Sequence, residues 1–218
     1  MDAAAPNETR TRIIRAALLC FAEHGYDGCG LREIAARAAA NSSLVAYYFG
    51  GKAGLYRESL CYIFEGRVQE LIRRLPAGSA FGIREAVHGL REYIRVSAEM
   101  LMSFRHSDPV EEAAMALMAR EMEAPTPGFG PQLLVFMRPA MAYLEGCLEA
   151  VRPDLDGEAR FAMIISIQGQ MVHLRNALGG IRLYRGDPFY PEDLPGLIEH
   201  FIGFSLRGLG LSEELIRA

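Results

Sequence analysis

The 218-residue chain is long enough for one or two domains with a sizeable core. Half of it is hydrophobic and no run approaches the roughly 18 apolar residues of a helical membrane span. A net charge of −4 argues against a protein that coats nucleic acid indiscriminately. The first ten residues carry no apolar segment, so no secretory signal is expected, and the expected location is cytoplasmic. The basic residues gather locally instead: residues 1–52 hold six against five acidic ones. Lys52 is the single lysine among 23 basic side chains.

Residues 1–9 are expected to be a disordered tail. A first helix over about 11–24 turns Ile13, Ile14, Ala17, Leu18 and Phe21 inward and stops at Gly25. After Tyr26-Asp27-Gly28, a second helix opens at Gly30, a weaker cap than Ser or Thr by a few tenths of a kcal/mol. Leu31, Ile34, Ala35 and Ala38 share its apolar face. Asn41 or Ser42 can then cap a third, short helix, Ser42 to Phe49. Its spacing places Leu44, Val45 and Phe49 inward, leaving Ser42, Ser43, Ala46 and Tyr47 outward. A small-residue rod with a polar and aromatic outer face, carried on an apolar partner helix, suits a DNA major groove. The plain alternative is an αα-hairpin with a solvated face.

Gly50-Gly51 ends that rod and a fourth helix follows over about 52–75. The Pro76-Ala77-Gly78-Ser79 stretch breaks the chain before a fifth helix, about 81–104. Asp108-Pro109 reads as the start of a sixth, to about 122. The breaker-dense stretch 124–131 leads to a seventh, about 132–151, with a kink or restart expected at Pro139. Asp154 or Asp156 caps an eighth, about 157–178, which Gly179-Gly180 should end. Asp187 to Pro191 precedes a ninth, about 192–209. With no strand alternation and no repeat, the fold class is all-α, about nine helices in all, with a helix-turn-helix near the start.

Residues 13–56 resemble the DNA-binding domain of the TetR/AcrR family of bacterial transcription regulators. The resemblance rests on IIRAALLCFAEHGYDG, LREIAARA and YYFGGKAGLY, and NSSLVAYYFGGKAGLY is most similar to the family's CecR (YbiH)-like branch. The stretch Arg120 to Phe129 and the run Ser166 to Gln170 look like signatures of that branch's C-terminal domain. The resemblance implies a tail (1–9), a DNA-binding domain (10–56, motif about 30–49) and a ligand-binding and dimerisation domain (57–218). It implies a transcriptional regulator, a repressor that grips a palindromic operator as a homodimer and leaves it when a small, largely apolar effector binds.

In that reading Ser42, Ser43 and Ala46 face base edges. Tyr47, Tyr48, Lys52, Cys29 and Arg32 hold phosphates of the double-stranded DNA operator. Cys29 stands where the family usually carries a hydroxyl, and a thiol donates weakly. The methionines read first as core packing and also suit an adaptable apolar cavity, with Phe104, Met118, Glu121, Met122, Phe136, Met137, Gln168 and His173 as its candidate lining. His173 reads first as a core or pocket histidine. Phe161, Ile164, Ile165, Ile198, Phe201 and Ile202 are the candidate dimer interface. Cys20, Cys29, Cys61 and Cys147 lack metal-ligand spacing and are expected to be buried or incidental thiols, with a redox role at Cys29 as the minor alternative. No nucleophile elbow, zinc helix, dinucleotide loop or P-loop is present, so no catalytic residue, metal or cofactor is expected, and no membrane partner. The alternative is a small-molecule sequestering protein with a degenerate headpiece; an α-helical enzyme is a further rival without a constellation to support it.

Overall fold

The computed structural model describes residues 4–77, 82–102, 109–126, 129–186 and 194–217. Among these residues there is no strand, and ten helices follow in order. They are α1 (Ala4–Gly28), α2 (Leu31–Arg37), α3 (Ser42–Phe49), α4 (Lys52–Arg74) and α5 (Ile83–Met102). Then come α6 (Pro109–Glu123), α7 (Gly130–Val151), α8 (Gly157–Arg185), α9 (Leu194–Gly208) and α10 (Glu213–Arg217). The chain forms two compact units, Met1–Gln69 with Phe104–Met137, and Glu70–Ser103 with Arg138–Ala218. This grouping differs from the expected division at residue 56, because α6 packs on α1.

The first unit is built on the apolar face of α1. Ile13, Ile14, Ala17, Leu18 and Phe21 are fully buried against Ile34, Val45, Leu55 and Leu60. Val110, Ala114 and Leu117 of α6 belong to the same core. Phe64, Phe129 and Phe136 add three rings whose centroids lie 5.5–6.5 Å apart. Arg120 of α6 donates to the Phe21 and Ala22 carbonyls, and Tyr56 of α4 donates to the Glu121 carboxylate at 2.7 Å. In the second unit α5 packs against α8 and α9, with Val87, Leu90 and Ile94 buried beside Leu144, Ile167 and Leu206. Arg91 donates to the Ile216 carbonyl and so holds α10.

Several expectations change. The tail is helical from Ala4, because alanines favour a helix and Pro6 falls in the first turn, where a missing N–H costs nothing. Gly25 does break regular helix, with φ 72. The eighth helix runs through Gly179-Gly180 to an αL cap at Gly186. Leu178 and Ile181 on either side pack with Leu194, Leu197 and Phe201, and that burial outweighs the roughly 1 kcal/mol each glycine costs. Pro139 sits inside a continuous α7 without a restart. Asp156, not Asp154, is the cap of α8, accepting from the Ala159 N–H at 2.8 Å. The expected starts at Asp108 and 187–191 lie outside the described residues, as does Phe104.

Candidate nucleic-acid interface

α2 and α3 owe their angle to the turn between them. The Ala40 N–H bonds the Ala35 carbonyl and the Ala39 N–H bonds the Ala36 carbonyl, a Schellman ending for α2. This ending needs a left-handed residue, and Ala39 supplies it with φ 46. Arg12 reaches across from α1 to the free Ala38 carbonyl at 2.7 Å. Asn41 then caps α3 by accepting from the Ser43 N–H at 3.0 Å. At the far end Gly50 adopts φ 68 and closes the helix onto the Ala46 carbonyl. Gly54 is required for another reason: a Cβ there would lie 1.7 Å from the Phe49 carbonyl oxygen.

The rod so fixed buries Val45 and Phe49 and exposes Ser42, Ser43, Ala46 and Tyr47. Tyr47 is 81% exposed and stands edge-on to half-buried Tyr48. Leu44 departs from expectation. It is 38% exposed on the outer side, since its place on the helix circumference lies beyond the two residues that anchor the rod. Sequence spacing alone had assigned it inward; an eight-residue helix seated on two side chains has too narrow a buried stripe for a third. Arg32 is exposed on α2. Lys52 donates to the Asp27 carbonyl at 3.2 Å and lies 4.8 Å over the Tyr26 ring, so it also ties α4 to the end of α1 beyond the Gly25 break.

Two upstream arginines serve the fold. Arg10 pairs with Glu58 and lies over the Phe49 ring, and Arg12 caps α2. Cys29 is corrected more sharply. Its side chain is buried and its sulfur is bonded to Cys20, so it has no thiol to offer a phosphate and is not an unpaired cysteine. The chain turns back after the Gly25 break and brings the two Cα atoms to 5.9 Å, a proximity that no CxxC spacing announces. Cys61 and Cys147 are free thiols.

The candidate ligand-lining residues are divided between the two units. In the first unit Met118, Phe136 and Met137 pack on the core beside Phe64 and Phe129. Glu121 is 2% exposed and fully engaged, accepting from Tyr56 and from both the N–H and the hydroxyl of Thr126. Burial, and then Glu121, pushes the Tyr56 phenol well above its ordinary range. Met122 is exposed. In the second unit Gln168 donates to Tyr93 at 2.8 Å, while His173 is exposed and is no core histidine. Of the candidate dimer residues, Phe161 and Ile165 are exposed and Phe201 is half-buried. Ile164, Ile198 and Ile202 belong to the buried core of their own unit. Val172 and Phe204 are exposed apolar side chains of α8 and α9. No helix among the described residues is long and apolar enough to cross a membrane.

Residues 13–58 match the family of bacterial regulatory proteins of the TetR type, and residues 90–209 match the C-terminal domain of the HTH-type transcriptional dual regulator CecR. The HTH-type transcriptional repressor SCO4008 of Streptomyces coelicolor is 42% identical over 60 residues, 28% of this chain and 31% of that one. The match thus spans less than two thirds of that relative's length. NalD, the secondary repressor of the MexAB-OprM multidrug efflux pump in Pseudomonas aeruginosa, shares the fold at TM-score 0.62 and 21% identity, over 93% of this chain and 96% of NalD. SmeT, in a complex with triclosan, does so at TM-score 0.63 and 22% identity, over 92% of this chain and 90% of SmeT. A capped recognition rod on an all-α scaffold, matched along both halves by these family models, gives the chain its class: it belongs to the TetR family of DNA-binding transcriptional regulators, with a C-terminal domain of the CecR type, and is not an enzyme.

Proposed function

We propose that the protein is a cytoplasmic repressor that binds a near-palindromic operator as a homodimer and releases it when a small apolar effector binds. The observation that carries the DNA half is the outer face of α3, where Ser42, Ser43, Leu44, Ala46 and Tyr47 are exposed on a rod anchored by Val45 and Phe49. The two serines can bond base edges, while Leu44 and Ala46 suit thymine methyls. Tyr47, Tyr48, Arg32 and the remaining donors of Lys52 would hold phosphates. One rod reads few base pairs, so two copies about 34–36 Å apart, one duplex turn, are needed.

Exposed Phe161, Ile165, Val172 and Phe204 support α8 and α9 as the dimer faces, with a second copy covering them. The effector reading is supported by Met118, Met137 and the Phe64, Phe129 and Phe136 rings in the unit that carries the reading helix. NalD and SmeT, a repressor and a triclosan-bound protein, support the same reading. A mobility-shift titration with fragments from upstream of the gene tests it. Tyr47→Phe should weaken retention about tenfold, the worth of one charge-assisted hydrogen bond. Lys52→Ala should do likewise and also cost roughly 0.5–1 kcal/mol of stability, through its contact with Tyr26. No retention of any fragment at low salt, or a monomer at micromolar concentration, would refute the proposal.

A further inference from the structure

Cys20 lies in the middle of α1, and Cys29 immediately precedes Gly30, the cap of α2. Both are buried in the headpiece core, their Cα atoms are 5.9 Å apart and their sulfurs are joined. The bond closes the loop that holds the Gly25 break and Tyr26, whose ring stacks on Phe21 and carries Lys52. It thereby fastens the beginning of the helix-turn-helix to α1. The Glu33 carboxylate lies within 4.8 Å of both sulfurs and is itself engaged by Arg37 at 2.9 Å and His24 at 3.5 Å.

We propose that Cys20 and Cys29 are a reversible thiol–disulfide site, oxidised by hydroperoxides, that sets the geometry of the DNA-binding headpiece. A bacterial DNA-binding regulator works among reduced thiols, where a disulfide is transient and regulatory rather than a permanent staple. The chemistry balances. One thiolate attacks a peroxide oxygen, the O–O bond breaks, and the alcohol leaves with the thiol's proton. The second thiol displaces water from the sulfenic acid so formed, making the S–S bond. Two sulfurs lose two electrons and the peroxide gains them; a small dithiol reverses the bond by exchange. Reduction removes the covalent tie between α1 and the start of α2, so the turn and the helix that follow are held only by packing and hydrogen bonds and are freer to shift. Both sulfurs are buried, so reaction requires a local opening of the headpiece, for which the break at Gly25 is the weak point.

The full-length protein, reduced with a phosphine and desalted, is titrated with tert-butyl hydroperoxide. Thiols should fall from four to two, the loss mapping by mass spectrometry to a Cys20–Cys29 link that dithiothreitol removes without denaturant. The melting midpoint should rise by about 4 °C or more on oxidation, and a Cys20→Ala/Cys29→Ala double variant should show neither response. The effect on DNA rests on the operator reading above: affinity should differ at least fivefold between the two forms, and not in the double variant. Prior oxidation of Cys61 or Cys147, a link that resists dithiothreitol in the native protein, or equal affinities would overturn the proposal. Stoichiometric zinc retained by the reduced protein would overturn it too, reassigning the pair with Glu33 to a metal centre. If the thiol chemistry holds while neither form retains DNA, the operator reading fails and the redox site stands.

Discussion

At Ala39 an L-residue with a Cβ holds a left-handed conformation, φ 46, that glycine would adopt without cost. Its side chain is exposed and little packing is lost by removing it. Ala39→Gly should therefore stabilise the protein by roughly 0.5–1 kcal/mol, read as a higher urea midpoint; a lower midpoint would mean that the turn is not strained. Glu121 makes the opposite case. Its carboxylate satisfies Tyr56 and Thr126 in a buried place, so Glu121→Ala leaves those donors without an acceptor and should cost roughly 3 kcal/mol. Tyr56→Phe should cost less, and the double variant should cost less than the sum of the two.

The free thiols differ from the paired ones in a way that pH reveals. Burial pushes the Cys147 thiol up to about 12, against a smaller opposing effect of its hydrogen bond with Tyr143. A group held neutral in the fold contributes fully below its ordinary value and loses that contribution as pH rises toward the folded one. Stability should therefore decline from about pH 8.5 upward, and the Tyr56 and Tyr143 phenols, also raised by burial, act in the same direction. At pH 8 Cys147 should react with iodoacetamide about a thousandfold more slowly than an unperturbed thiol. Alkylation at the ordinary rate would show that the site is open.

At the scale of elements, the end of α3 is the most tightly specified place in the headpiece. Gly54→Ala would drive a Cβ into the Phe49 carbonyl and should separate α4 from α3, lowering stability by 2 kcal/mol or more, roughly. Asn41→Ala, at the other end, should cost about 1 kcal/mol through its lost cap. Circular dichroism on thermal unfolding would rank the two; a harmless Gly54→Ala would refute the close approach. The bounds of α3 were legible in the sequence because Asn41 and Gly50 are local signals that act within one turn. The start of α8 was narrowed to Asp154 or Asp156 for the same reason, but its end at Gly186 was missed because Gly179-Gly180 misled. What carries the helix past them is contact with α9, a partner more than ten residues away. Leu44, the buried isoleucines of α8 and α9, and the Cys20–Cys29 pair were hidden likewise. Periodicity separates an inner from an outer face but does not say which faces are matched by a neighbour, and no spacing rule pairs cysteines on successive helices.

At the scale of the whole molecule, the apolar residues left outside the core matter most. Phe161, Ile165, Val172 and Phe204 are exposed on α8 and α9, and in the proposed dimer a second copy would cover them. Introducing a charge at one of them, Phe161→Glu, should shift the sedimentation profile to a single chain and weaken operator retention at least a hundredfold, about the worth of losing the second half-site. Folding of each chain should persist, since that ring is not part of either core. An unchanged profile would remove α8 from the association surface.

The unit that carries the reading helix is also discontinuous in the chain, since it is completed by residues 104–137. A nascent chain leaving the ribosome thus presents α1 to α4 well before α6 exists to cover Phe21 and Leu60. Synthesis runs at about 5–20 residues per second, so the partly covered headpiece must wait several seconds for its last helix. During that interval Cys20 and Cys29 meet the cell's oxidants without the native core around them. A gene cut after Gln69 should for the same reason yield an insoluble product rather than a portable DNA-binding module.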